Sequence, residues 1–255
     1  MPKNKSSERS LAVIVGGTGA LGKVIVQHLI EAGLDVLAVG RSENELAALA
    51  QKYPALSYCL ADIGLDAAID IISNAINRPV RMLVHAPGVR VAGGVLQAST
   101  DALNAAINIK VGGMLRLFRA AEKWLGPQSR VVGVGGHYGF EPTAYAATAG
   151  VANAALANLM RQLSWALGER GITSHLVAPG PADTERLRAV AHARAEQRGI
   201  SIEDVLDELK AESAINAFTT PRQVAWAITL LLAPEADALA GSSLMLDSGR
   251  RRGLP

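Results

Sequence analysis

The uninterrupted apolar run Leu11–Val15 passes directly into Gly16-Gly17-Thr18-Gly19-Ala20-Leu21-Gly22, and a helix-spaced segment follows. No other feature limits the fold as tightly. A short, wholly apolar run bounded by glycines reads as a strand buried on both faces. Glycines at 16, 19 and 22 provide a tight turn, a close backbone approach to a ligand, and close packing of helix on strand. The helix expected over Gly19–Glu31 puts Leu21, Val24, Ile25, His28 and Leu29 on one face. Its free first-turn N–H groups and the positive end of its dipole suit a pyrophosphate. Gly16, Gly17, Thr18, Gly19, Leu21 and Gly22 are therefore the expected cradle of a dinucleotide.

The rest of the chain continues the alternation. Strands are expected at Asp35–Val39, Ala55–Leu60, Arg81–His85, Arg130–Val134, Ile172–Val177 and Ser243–Leu246. Helices are expected over Glu43–Lys52, Leu65–Asn77, Thr100–Leu125, Thr143–Glu169 and Arg222–Leu232. Alternation of this kind means parallel βαβ crossovers. The expectation is an α/β, Rossmann-type, doubly wound sheet of seven parallel strands, in one domain spanning 1–255. The charged stretch 183–217 breaks the rhythm and reads as two polar helices joined near Gly199. It is either a solvated insertion or a lid, since such sheets bind ligands beyond the carboxyl ends of their strands.

Composition narrows the function classes. Lys and Arg total 25 against 23 Asp and Glu, so no electrostatic footprint for nucleic acid is present. Arg250 to Arg252 form only a local patch. The lone cysteine, Cys59, lies in an apolar run and reads as core; it fits a reduced compartment. No apolar stretch approaches the ~18 residues of a membrane helix, and Met1–Ser10 is polar. A cytoplasmic protein with no membrane or nucleic-acid partner is expected, and no metal site.

The second strand of such a fold ends at the adenosine ribose. An acidic residue there would bind the 2′-hydroxyl of NAD. This chain has Gly40-Arg41-Ser42. Glycine leaves room and arginine can pair with a 2′-phosphate, so NADP(H) is favoured over NAD(H), with Arg41 and Ser42 at the phosphate.

From residue 10 to 250 the chain resembles the short-chain dehydrogenase/reductase family. The resemblance is carried, beyond the glycine loop, by Asp62-Ile63 after the third strand and by His85-Ala86-Pro87-Gly88 after the fourth. It continues in Asn108 of Ile107-Asn108-Ile109, in Ala178-Pro179-Gly180-Pro181-Ala182-Asp183-Thr184, and in Asp247-Ser248-Gly249. The resemblance implies adenine contacts at Asp62 and Ile63, and a ribose or turn role for His85, Ala86 and Gly88. It implies nicotinamide-side contacts at Tyr145, Pro179, Gly180, Ala182 and Thr184.

The family's catalytic group resembles a relay of Asn, Ser, Tyr and Lys. Here Tyr145 and Asn108 stand at two positions, while Gly136 and Ala149 stand where Ser and Lys are expected. Without a nearby cation Tyr145 should titrate near about 10, and loss of the serine hydroxyl should cost on the order of 3 kcal/mol. His137 is a candidate substitute proton donor, since histidine titrates near neutrality. Tyr138, Thr143 and Thr148 lie nearby in sequence. Lys110, two residues past Asn108, is expected at the surface on a different helix face, and Arg90 on an exposed loop.

Three readings stay open: an oxidoreductase acting on a carbonyl or hydroxyl of a small molecule through a modified relay; a non-redox lyase or isomerase; and a catalytically silent cofactor-binding homologue serving as partner subunit. The small residues of Thr100–Leu125 and Thr143–Glu169 permit close helix packing. With the resemblance they imply a homodimer or homotetramer.

Overall fold

The computed structural model describes residues 9–89 and 93–253; Arg90 and Met1–Glu8 lie outside the described residues. Seven strands form one sheet: β1 (Leu11–Val15), β2 (Asp35–Gly40), β3 (Leu56–Leu60), β4 (Val80–His85), β5 (Leu125–Val134), β6 (Thr173–Pro179) and β7 (Ser243–Leu246). They are ordered β3-β2-β1-β4-β5-β6-β7 and every pairing is parallel. The chain order reverses between β1 and β4, where Val15 is in register with His85. Their carboxyl ends open the crevice in which open α/β sheets bind ligands.

Helices α1 (Ala20–Glu31), α2 (Glu43–Lys52), α3 (Ala68–Ala75), α4 (Thr100–Ile107), α5 (Gly113–Ala121), α6 (Ala147–Leu167), α7 (Glu185–Arg198), α8 (Ile202–Ala211) and α9 (Pro221–Leu230) follow the crossovers. Alternate strand residues feed two cores. Val13, Val15, Leu83 and Val131 pack with Leu117, Leu156 and Met160 on one face. Ala12, Ile14, Val84 and Val132 pack with Ile25, Leu29 and Ile228 on the other. Among the described residues no helix is long and apolar enough to cross a membrane, and no cluster of side chains could hold a metal.

Two expectations need correction. β5 begins at Leu125 rather than Arg130, because Gly126-Pro127-Gln128 is a bulge within the strand and not its boundary. Gln128 takes φ 68°, and the register slips between Val80↔Leu125 and Met82↔Arg130. Beyond the bulge Arg130 is wholly buried: it pairs with Asp237 at 2.5 Å and donates to the carbonyls of Leu231 and Ala233.

The expected single helix Thr100–Leu125 is interrupted by a π-turn over Asn108–Gly112. Gly112 and Gly113 let the wider turn close against its surroundings. A Cβ on Gly113 would lie 2.7 Å from His85 Cε1, and one on Gly112 2.9 Å from Asn108 Oδ1. The extra residue in a π-turn shifts the phase of the helix, and Lys110 turns inward. The 183–217 stretch does form two helices, α7 and α8, with Gly199 at φ 66° between them. They share a small core of Ala191, Ala195, Val205 and Leu209.

Candidate active site

The loop between β1 and α1 brings backbone, not side chains, to the crevice. Gly16 has φ 86°, and a Cβ there would lie 3.0 Å from the Ala86 carbonyl carbon. A Cβ on Gly22 would lie 2.0 Å from the Gly16 oxygen, so helix and loop meet at a distance only glycine allows. Gly19 is the N-cap of α1 with no side-chain cap and no acidic residue in the first turn. The exposed N–H groups therefore face a space free of competing negative charge, which fits a pyrophosphate. Thr18 and Leu21 flank that space half-buried, and Gly17 packs inward against Ile14 and Val26.

At the end of β2, Gly40 packs on Leu46 and Arg41 is exposed. The Ser42 hydroxyl caps α2 by accepting from the Glu45 N–H at 3.4 Å. Asp62 closes its own turn, accepting from the Gly64 N–H at 2.9 Å. Ile63 is buried. His85 is fully buried; its Nε2 hydrogen-bonds the Ile109 carbonyl at 2.9 Å and its Nδ1 has no partner among the described residues. Burial, then the Lys110 charge, push its pKa down to about 3. It is thus a neutral ring whose remaining nitrogen is an acceptor. Ala86 is fixed by its N–H to the Val15 carbonyl at 3.0 Å.

Tyr145 precedes α6 and is 40 % exposed. Its hydroxyl lies 2.9 Å from that of Tyr138, and the Arg194 guanidinium of α7 sits 4.4 Å from its ring centroid. Burial pushes the Tyr145 phenol up, but the Tyr138 hydrogen bond, Arg194 and Arg250 outweigh it. The phenol lies below its ordinary value. Burial and the same hydrogen bond push Tyr138 well up. A cation does therefore serve Tyr145, and it comes from α7.

Gly136, after β5, faces α6: a Cβ there would lie 2.8 Å from Asn153 Nδ2. Asn153 is buried and its Oδ1 has no partner among the described residues. Ala149 is buried in a cluster with Val89, Ala106 and Ala152. His137 is buried against Tyr138, with ring centroids 4.2 Å apart, and neither ring nitrogen has a partner among the described residues. Burial and Arg250 push its pKa down to about 4, so it is neutral at pH 7.

Asn108 and Lys110 occupy opposite sides of the π-turn. Asn108 is exposed; its Nδ2 donates to the Gly64 carbonyl at 2.9 Å and its Oδ1 accepts from Arg116 at 2.9 Å. The structure ties it to the β3 side of the crevice and does not bring it to Tyr145. Lys110, expected at the surface, is 4 % exposed and donates to the Val134 carbonyl at 2.7 Å. Burial and Arg186 push its pKa down to about 8. The sequence offered one clue, an isolated lysine between Ile109 and Val111.

The remaining wall follows β6. Pro179 ends the strand; the Gly180 N–H donates to the Leu246 carbonyl at 2.9 Å, and a Cβ on Gly180 would lie 3.0 Å from Asp247 Cα. Ala182 pairs with Thr219, and the Thr184 hydroxyl donates to the Ala182 carbonyl at 3.2 Å. Two residues on, Arg186 donates to the Val89 carbonyl across the crevice. Arg250 is buried against Glu212 and the Leu209 carbonyl. Arg186 and Arg194 were not expected at the site, because nothing in the sequence links α7 to Tyr145.

This sheet order, with a glycine loop at the reversal and a tyrosine beyond β5, defines a doubly wound α/β protein. A family model described as "Enoyl-(Acyl carrier protein) reductase" matches residues 17–251. The short-chain reductase protein NovJ of Streptomyces niveus is 25 % identical over 256 residues, covering 96 % of this chain and 95 % of that protein. A blue fluorescent protein from a metagenomic library, solved with NADPH, is 25 % identical with a TM-score of 0.82 over 95 % of this chain and 98 % of that one. A short-chain oxidoreductase from Pseudomonas aeruginosa PAO1, described as containing an atypical catalytic center, shares the fold. Its TM-score is 0.85 at 22 % identity, over 96 % of this chain and 98 % of that one. The chain belongs to the short-chain dehydrogenase/reductase family.

Proposed function

We propose that this protein is an NADP(H)-dependent oxidoreductase that interconverts a carbonyl and a hydroxyl on a small organic substrate through a non-standard proton relay. The observation that carries the reading is Tyr145: a phenol at the crevice, hydrogen-bonded by Tyr138 and lowered in pKa with the help of Arg194. A silenced site would have no use for a tyrosine held in that state.

The cradle Gly16–Gly22 holds the pyrophosphate, Arg41 and Ser42 the 2′-phosphate, and Asp62 and Ile63 the adenine. His85, Ala86 and Gly88 hold the ribose side, and Pro179, Gly180, Ala182 and Thr184 the nicotinamide. A nicotinamide bound there would supply or accept the hydride. In reduction Tyr145 gives its O–H proton to the substrate oxygen, and the Tyr138 O–H stabilises the phenolate that results. In oxidation Tyr145 takes that proton back. Gly136 contributes no hydroxyl to the substrate oxygen and Ala149 no charge to the phenol. His137, neutral at pH 7, is left to packing. The α7–α8 pair is the substrate lid, since Arg186 and Arg194 reach from it into the crevice.

Support for the 2′-phosphate comes from Gly40-Arg41, where no carboxylate follows β2, and from the NADPH in the metagenomic relative. The exposed Val151 and Trp165 on α6 agree with pairing of copies through that helix. Calorimetric titration with NADPH and NADH, followed by NADPH consumption against a panel of ketones and aldehydes, tests the reading. Equal affinity for both cofactors contradicts the phosphate assignment, and binding without consumption of NADPH contradicts the activity.

A further inference from the structure

Nothing in the packing calls for a lysine at 110. Its Nζ is buried, and no carboxylate among the described residues lies within ion-pair reach of it. An ammonium has three N–H donors, and the Val134 carbonyl is the acceptor that the described residues give it. A buried, unpaired cation is strongly unfavourable, whereas an apolar side chain of the same length would carry no such penalty. The unused donors point to an acceptor that arrives with a ligand.

The surroundings of Lys110 say which part of the ligand that is. Val134 ends β5 and His85 ends β4; His85 is tied to the Ile109 carbonyl, one residue before Lys110. The ammonium therefore lies beyond β5, two strands along the sheet from the cradle at β1. That is ~10 Å along the sheet from the glycine loop, on the side away from β2 and Arg41. The groups facing it are the neutral His85 from β4 and the Arg186 guanidinium from α7. From α6 come Ala149 and Ala152, buried in one cluster with Ala106, beside Ile107 and Ile109. Ala149 is small where the helix carrying Lys110 packs on α6.

We propose that Lys110 is a fixed cation of this active site and donates to the nicotinamide-side ribose hydroxyls of the bound dinucleotide. It does so from the π-turn, where a lysine at 149 would do so from α6. This inference rests on the cofactor reading above and deepens it.

The test compares NADPH with adenosine 2′,5′-bisphosphate, which carries the adenosine end and lacks the nicotinamide ribose. Lys110→Met and Lys110→Gln should bind NADPH at least ~10-fold more weakly than the wild type, the loss expected for a charged hydrogen bond. Both should bind the bisphosphate as the wild type does. The exchange Lys110→Met/Ala149→Lys should recover most of the NADPH affinity. In the wild type with isotope-labelled lysine, addition of NADPH but not of the bisphosphate should shift the Lys110 ammonium resonance, a readout that needs no variant to fold. Unchanged NADPH affinity in the variants, equal loss of both ligands, or an unmoved Lys110 resonance overturns the proposal. A wild type that binds neither ligand overturns the cofactor reading itself.

Discussion

Replacing Arg194 by methionine keeps the length of the side chain and removes the guanidinium 4.4 Å from the Tyr145 ring centroid. A unit positive charge 4.4 Å from the ring stabilises the phenolate by about 1 kcal/mol even at the dielectric of water, and Tyr145 is 40 % exposed, so this screened figure is the one that applies. The Tyr145 pKa should therefore rise in Arg194→Met. The sign follows from the direction of the shift: the guanidinium favours the phenolate, and its loss favours the phenol. Tyrosinate absorbance, read as the difference between Arg194→Met and Arg194→Met/Tyr145→Phe, measures this without a substrate. The corresponding pair in the wild background gives the reference. In the oxidation direction, where Tyr145 accepts a proton, the alkaline rise of the pH–rate profile should move up by the same amount. An unchanged tyrosinate titration refutes the assignment of Arg194 as the cation that serves Tyr145.

Gly136→Ser should destabilise the fold by about 1–3 kcal/mol in urea unfolding, because the new Cβ meets Asn153 Nδ2 at 2.8 Å; adding Asn153→Ala should recover most of the loss. Arg130→Met should cost about 1–3 kcal/mol by the same assay, since it leaves the Leu231 and Ala233 carbonyls without their donor, while Asp237 is exposed to water. His85, His137 and His175 are held at about 3, 4 and 4, below their ordinary value of 6.5. The unfolded chain therefore binds more protons, and stability present above pH 6.5 should fall as pH drops from 6.5 towards 4. His175→Gln should flatten that decline in urea midpoints.

The glycine loop was legible because Leu11–Val15 and Gly16–Gly22 are contiguous and the physics that joins them is local, and the parallel sheet because strand-like and helix-like runs alternate. The break in α4–α5 was not. Apolar spacing runs through Ile107, Ile109 and Val111 without interruption, and only the contact of Gly113 with His85 shows why the turn widens. That one added residue decides the site, since it sends Asn108 towards Gly64 and Lys110 beneath the crevice. Arg194 lies far from Tyr145 in sequence and reaches it only because α7 and α8 fold back over the sheet. Gly136 read as a missing hydroxyl; only the structure shows Asn153 filling the space beside it. The strand bulge at Gln128 was hidden because Gly126-Pro127 carries the composition of a turn.

The proposed relay requires Tyr145 to move the substrate proton in an NADPH-dependent reaction. The most direct measurement is single-turnover NADPH oxidation by the protein and its Tyr145→Phe variant, against whichever carbonyl compound the wild type consumes. Tyr145→Phe should lose about 10²–10⁴-fold in rate, the usual worth of a positioned proton donor, while its NADPH affinity stays nearly unchanged. A variant that turns over at the wild-type rate refutes that role for Tyr145.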